Sequence, residues 1–399
     1  MRRGLLCLLV LVSACAPARP KAEAIVVVDV PVAASAALAT QIQRGAQLAI
    51  DEINANGGVA GARLAMKVLD SGASPERTAE NMRTAAALGA VAVVDEGTGV
   101  DAGWRIAADA GIPIGIVYQG APGLVDVAAR RNVYRIAPTD HGIAFRYAEY
   151  LVPKGLKVGI VTDDSTYGNG GRAALAESFA HNPSSVAARI QIPSSATDLA
   201  PEILRARRSG ATALLVWARP QAIALAIRDA RQTGWNVPIF TPPSGEDPFV
   251  RQQLADRPDW VDGMTVALSR LTSEKGPVPY DTFRTALERK FGEELVGVKS
   301  NGKDVVQAPD VPMYAYDFVH VVAAAIARTG RAAPSEALVR NLEQVEVRGA
   351  NGDERAFNEL NHEGVVDDDV FFARFHGMTW APVRDDALSA TLVEVRQTR

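Results

Sequence analysis

The chain has 399 residues, 48% of them hydrophobic and 22% charged, which is ordinary for a globular protein of two or three domains and excludes a disordered polymer as the starting expectation. Lysine and arginine number 42 against 46 acids, a net charge of −4 with no basic block to track phosphates, so nucleic acid is not an expected partner.

The N-terminus reads MRRGLLCLLVLVSACAP. Arg2 and Arg3 precede an apolar run, Leu5 to Val12, far shorter than the roughly 20 residues a membrane span needs, which is the pattern of an export signal over 1–14. Ser13 and Ala14 followed at once by Cys15 resemble the bacterial lipobox, a resemblance that implies acylation of Cys15 as the mature N-terminus. A soluble secreted protein with an incidental Cys15 is the alternative. The only other cysteine, Cys7, lies inside the apolar run, so the mature chain can form no internal disulfide. Residues 15–23, rich in alanine and proline, read as a tether.

From Ala24 apolar runs alternate with amphipathic stretches. AIVVVDV reads as a buried strand; 40–56 reads as a helix with Ile42, Ala46, Ala49, Ile50 and Ile53 on one face, ended by Gly57 and Gly58. RLAMKVLD is a second strand. Ser74 with Pro75 starts a helix that ends near Leu88, VAVVD is a strand, 101–110 a helix and IPIGIV a strand. After NVYRIAPTD the grammar restarts: LKVGIVT, VAARIQI, ALLVW and VPIFT are strands, separated by helices over 169–181, 198–209 and 220–233. Beyond GMTVALS the chain turns helical over 280–291, 314–329 and 335–345, and DVFFARF is a late strand. Strands joined by helices give an α/β fold of doubly wound parallel sheets, covered on both faces.

Nucleotide and catalytic motifs fail on physical grounds. GVKSNGKD, 297–304, has the Walker A spacing, but Asp304 stands where a hydroxyl would hold magnesium and no apolar strand leads in. VAVVDEGTGVDAG carries Gly97, Gly99 and Gly103, one residue out of step with a dinucleotide fingerprint, and the next strand end lacks a ribose-binding acid. The glycine turn still exposes backbone N–H groups at a sheet's carboxyl edge, and YGNGG, 167–171, repeats the arrangement. The histidines are scattered without metal-ligand spacing and no nucleophile elbow occurs, so no metal, cofactor or catalytic group is expected.

The lipobox, then RGAQLAIDEINANGGVAGARLAMKVLDSGASPE, then KVGIVTDDSTYGNG, then MYAYDFVHVVAAAIARTG, resemble the solute-binding proteins of ABC importers of the branched-chain amino acid and amide class. The resemblance implies the type I periplasmic binding protein fold: two lobes joined by a three-strand hinge, here 24–137 with 270–346 and 138–269 with 347–392, and a ligand in the cleft between them. Carried over, it places Leu38 in the first cleft loop, Thr98 where a hydroxyl and an amide hold the ligand carboxylate, and Gln119 and Gly120 in the next loop. Tyr167 matches the second lobe's Tyr-Gly, Trp217 or Arg219 the following strand end, and Glu246, or its neighbour Asp247, the amino-group anchor. Residues 56–61 would be a structural turn remote from ligand. Glu96 and Asp101 depart from the pattern, because acids beside a helix N-terminus repel a carboxylate unless they point away.

The implied protein is a monomeric, non-enzymatic receptor, lipid-anchored in the periplasm or cell envelope, that closes on an amino acid or amide and delivers it to an ABC permease. A sensory receptor of the same fold, signalling to a kinase or regulator, is a second reading. An NAD-dependent enzyme is a third, disfavoured by the missing ribose acid and by export.

Overall fold

A computed structural model describes residues 22–271, 275–276, 278–292, 299–300, 303–304, 310–365, 369–376 and 379–389. The expected export signal, Cys15 and the tether as far as residue 21 lie outside the described residues, as does half of the Walker-like stretch.

The first half supplies β1 (Ala22–Val30), α1 (Ala36–Ala55), β2 (Ala62–Asp70), α2 (Pro75–Leu88), β3 (Ala92–Asp95), α3 (Val100–Asp109), β4 (Ile114–Ile116) and β5 (Val133–Arg135). The five strands form one all-parallel sheet in the order β2, β1, β3, β4, β5. Its central strands are runs of valine because both faces are buried: Val26 and Val28 enter one core, Val27 and Val93 the other. Helix α1 begins four residues before the predicted start, with Ala39 alone of 36–39 buried. It ends on Gly57, Gly58 and Gly61, all at positive φ (104°, 80° and 78°). Asn54 fastens that end to β2, its amide side chain bonding the Leu64 carbonyl at 2.8 Å and the Leu64 N–H at 2.9 Å.

Then follow α4 (Asp140–Leu151), β6 (Val158–Asp163), α5 (Thr166–Ser178), β7 (Val186–Ile192), α6 (Ala200–Arg208), β8 (Ala213–Trp217), α7 (Pro220–Gln232), β9 (Ile239–Thr241), α8 (Pro248–Gln253) and β10 (Thr265–Ser269). The remainder gives α9 (Val278–Phe291), β11 (Lys299–Ser300), β12 (Lys303–Asp304), α10 (Val311–Thr329), α11 (Glu336–Leu342), β13 (Glu346–Arg348), β14 (Glu354–Ala356), β15 (Val370–His376) and β16 (Thr379–Pro382). The second sheet has the order β7, β6, β8, β9, β10, β15, β16; its first five strands are parallel and its last two antiparallel. Helix α5 starts three residues before the predicted position because Ser165 caps it, its hydroxyl accepting from the Gly168 N–H at 3.1 Å.

The chain passes between the sheets after β5, after β10 and before β15, and two arginines tie these passes together. Arg135, at the end of β5, pairs with both Glu363 oxygens at 2.7 and 2.5 Å and donates to the Gln119 and Ala121 carbonyls, each at 3.1 Å. Arg270 donates its N–H to the Asp369 carbonyl at 2.9 Å and pairs with Asp353 and Asp369, each at 3.0 Å. Residues 347–365, expected in the second lobe, stay with the first. Arg355 pairs with Asp317 of α10 at 2.8 Å, and His362 stacks on Tyr134 at 4.0 Å while contacting the Val133 carbonyl and Glu343. Removing either member of the buried Arg355–Asp317 pair would leave the other charge uncompensated, which disfavours detaching that segment.

Helices α1 and α10 cross closely at Gly45, where an added Cβ would run into the Pro312 backbone carbonyl. Gly45→Ala is expected to lower stability by about 1–3 kcal/mol, since backbone cannot rotate out of the way; a urea melt with an unshifted midpoint would contradict this packing.

Under the carboxyl edge of the first sheet, Asp29 and Asp95 end neighbouring strands in register, both buried. Asn81 donates to Asp29 and the Gly97 N–H donates to Asp95, each at 2.6 Å. Burial pushes Asp29 up to about 7, against the Asn81 bond and with help from Glu96; burial and Asp29 push Asp95 well above the carboxylate range. The folded protein therefore binds more protons here than the unfolded chain between about pH 4 and 7, so stability falls as pH rises through that window and stays reduced above it. Asp29→Asn, an isostere of the protonated acid, is expected to raise the melting temperature at pH 8 more than at pH 5. Equal shifts at the two pH values would rule out a raised Asp29 carboxyl.

Candidate functional site

The carboxyl edges of the two sheets face each other, and the loops that leave them touch. Ser35, ahead of α1, donates its hydroxyl to Asp247 ahead of α8 at 3.1 Å. Tyr118, after β4, stacks on Tyr167 at the start of α5, ring centroids 6.1 Å apart and planes 17° from parallel.

On the first-lobe side, β3 runs into Glu96–Thr98 and then α3. Gly97 takes φ 113°, and a Cβ there would strike the Gln119 side chain, so the loops after β3 and β4 pack directly together. Gln119 donates its amide to the Thr98 hydroxyl at 3.1 Å. Gly120 lies against Asp140, where a Cβ would come 2.6 Å from Oδ1; its carbonyl accepts the Asp140 N–H at 2.8 Å. It thus serves the close approach of the first crossing to this loop.

On the second-lobe side, Asp163 at the end of β6 organises two loops at once. It accepts from the Ser165 N–H at 3.2 Å and from the Ser165 hydroxyl, and from the Arg219 N–H at 2.8 Å. The glycines after Tyr167 each meet a neighbour that a side chain would hit: Gly168 meets Asp163, Gly170 meets Asp140 and Gly171 meets the Trp217 ring.

The carried-over residues are thus partly gathered and partly separated. Thr98, Gln119 and Tyr167 stand at the facing edges, and Leu38 lies half-buried in the first turn of α1 near Ser35. Trp217 is wholly buried in the second lobe's core beneath Gly171, and Arg219, just beyond the end of that strand, donates its N–H to Asp163. Glu246 sits fully buried in the 3₁₀ turn Pro243–Glu246, its backbone carbonyl accepting from the Arg251 guanidinium at 2.5 Å. Asp101 turns outward and pairs with Arg130, away from Thr98. Ser35, Tyr118, Asp140 and Asp163 were not singled out from sequence. Tyr118 and Asp163 had a signal in their positions at strand ends; Ser35 meets a partner 212 residues away, which local pattern does not show.

The cleft edges are rich in acids held above their ordinary range. Burial raises Glu96, while the Thr98 hydroxyl, the Thr98 N–H and the facing Arg219 guanidinium pull it back. Burial pushes Asp140 up to about 7 against the attraction of Arg135, and raises Asp247 against its bonds to Phe249 and Ser35. Arg251, beneath the 3₁₀ turn, is pushed down to about 10 by burial, opposed by Glu246 and Asp247. Among the described residues, no three His, Cys, Asp or Glu side chains are grouped to hold a metal ion, and no helix is long and apolar enough to cross a membrane. What the arrangement can do is surround a small polar molecule with donors and acceptors from two bodies.

A family model described as periplasmic binding protein matches residues 30–377. The Leu/Ile/Val-binding protein homolog 8 of Brucella abortus is 25% identical over 219 residues, which cover 51% of this chain and 54% of that one; the chain spans about half the length of the curated relatives it matches. A periplasmic binding protein type 1 from Bordetella pertussis superposes with a TM-score of 0.81 at 19% identity, covering 90% of this chain and 100% of the other. The branched-chain amino acid transporter substrate-binding protein LivJ from Streptococcus pneumoniae, in complex with isoleucine, gives 0.75 at 19% identity over 90% and 97% of the two chains. Because the family match runs through both sheets and all three crossings, the chain belongs to the periplasmic binding protein family and carries its type I fold, two parallel-sheet lobes joined by a three-strand hinge.

Proposed function

We propose that the chain is a monomeric, non-enzymatic solute-binding protein of an ABC importer, held at the cell envelope by a lipid on Cys15, that closes on a small polar ligand and presents it to a permease. The reading rests on one observation above others: residues from both lobes meet edge to edge, Ser35 with Asp247 and Tyr118 with Tyr167, so a molecule seated there would be enclosed from two sides. A ligand that touches both lobes at once favours the closed arrangement by its differential contacts, which is what capture and release require. The names of the relatives point to amino acids, and the amide class of importer is kept beside them. Of the carried-over residues, Leu38, Thr98, Gln119, Gly120, Tyr167 and Glu246 are proposed to bound the ligand; at the end of β8 we now assign Arg219 rather than Trp217. We propose lobes of 24–137 with 270–365 and of 138–269 with 369–389. The sensory alternative uses the same closure with a different listener, and no residue favours it.

A thermal-shift screen over branched-chain amino acids, amides and amines is expected to yield a ligand that stabilises the protein by about 2.7 kcal/mol at a hundredfold excess over Kd. Thr98→Ala and Tyr167→Ala should weaken that ligand at least severalfold by titration calorimetry, and its addition should reduce the radius of gyration in solution scattering. Unaltered affinity in both variants would remove this pocket.

The anchor is tested in the native host: Cys15→Ser is expected to abolish lipid labelling and move the protein to the soluble envelope fraction. A variant still labelled and membrane-bound would show that another residue carries the lipid.

A further inference from the structure

The donors of the first lobe are already spoken for inside the chain. The Thr98 hydroxyl and N–H, where the family resemblance would seat a ligand carboxylate, face the Glu96 carboxylate instead. Glu96 is only 3% exposed, and its Oε1 has no hydrogen-bond partner. Gln119, also 3% exposed, spends its amide N–H on Thr98, which turns its own unpartnered Oε1 into a second acceptor beside the same turn. At the head of α4, on the second-lobe side, Asp140, 1% exposed, leaves Oδ2 without a donor beside Gly170. Two buried acceptors, one of them an acid, thus lie together on the first-lobe edge of the cleft, and Asp140 adds a third from the lobe opposite. Buried acceptors left unmatched are costly, and an anion brought to this edge would meet Glu96 at short range in a medium that screens poorly.

We propose that the first-lobe half of the cleft receives the cationic end of the ligand, an ammonium or guanidinium group that donates to the Glu96 and Gln119 side-chain oxygens, so that the preferred solute lacks a free carboxylate at that end. This rests on the solute-binding reading above and narrows it. The inferred class comprises amines, amino-acid amides and guanidino compounds, with Glu96 as the residue that selects them.

The test uses the full chain and matched probes that differ in the carboxylate: leucine against leucinamide, arginine against agmatine, and phenylalanine against phenethylamine. In at least one pair the carboxylate-free cation is expected to bind tenfold or more tightly than its partner by titration calorimetry. Glu96→Gln, which keeps shape and removes charge, should erase most of that preference by weakening the cation. A tighter carboxylate-bearing member in every pair that binds, or a Glu96→Gln protein that keeps the preference, overturns the polarity assignment and leaves the solute-binding reading intact. Binding of no probe from either class overturns both. The comparison on the unaltered protein decides the polarity even where the variant folds poorly.

Discussion

A parallel strand cannot turn straight back into its neighbour; it must hand the chain to a crossover that returns to the other end of the sheet. That constraint places every cleft residue of this molecule. Thr98, Gln119, Ser165, Arg219 and the 243–246 turn each follow a strand, β3, β4, β6, β8 and β9 in turn, so all emerge at carboxyl edges. Because α3, α5 and α7 begin there, the same edges collect helix N-termini, whose free N–H groups and dipoles attract negative charge. In this chain the attraction is met largely from within. Asp95 takes the Gly97 N–H, and Asp163 takes those of Ser165 and Arg219, so strand-end acids fill positions that an anionic ligand would otherwise occupy.

The same acids explain how the glycines are distributed. A turn in which a carboxylate folds back on the following amides leaves little room above it, and the next loop must then pack backbone to side chain. Gly97 against Gln119, Gly120 against Asp140 and Gly168 against Asp163 are three instances, one at positive φ and two where close approach alone excludes a Cβ. Glycine-rich strand ends in this sequence imitate phosphate loops for this reason. They carry glycine for close packing against neighbouring side chains, among them the Asp140 and Asp163 carboxylates and the Trp217 ring.

How far the sequence shows the structure depends on the range over which each feature is decided. The strands were legible because burial of both faces demands valine runs, and the helix ends because Gly57, Gly89 and Gly330 carry positive φ. The starts of α1 and α5 were misjudged by three or four residues, since the alanines and glycines in those first turns carry no strong periodicity. The burial of Trp217 was legible: with a period of two it shares a face with Ala213 and Leu215, both in the second lobe's core. Nothing local could have shown Ser35 beside Asp247, or 347–365 staying with the first lobe, because those placements depend on partners far away in the chain.

Hinge and cleft are opposite solutions to the burial of charge. At the crossings Arg135 meets Glu363 in paired geometry and satisfies two backbone carbonyls, and Arg270 links two acids although its Nε stays buried without a partner. At the cleft edge, Glu96, Gln119 and Asp140 retain acceptors with no donor, and their burial raises the free energy of the two lobes lying together. The unmatched edge thus adds to the cost of closing, which falls when a ligand brings the missing N–H groups. Selectivity then follows from the donors that the chain withholds, since a molecule unable to supply them leaves the closed state no more favourable than it was when empty.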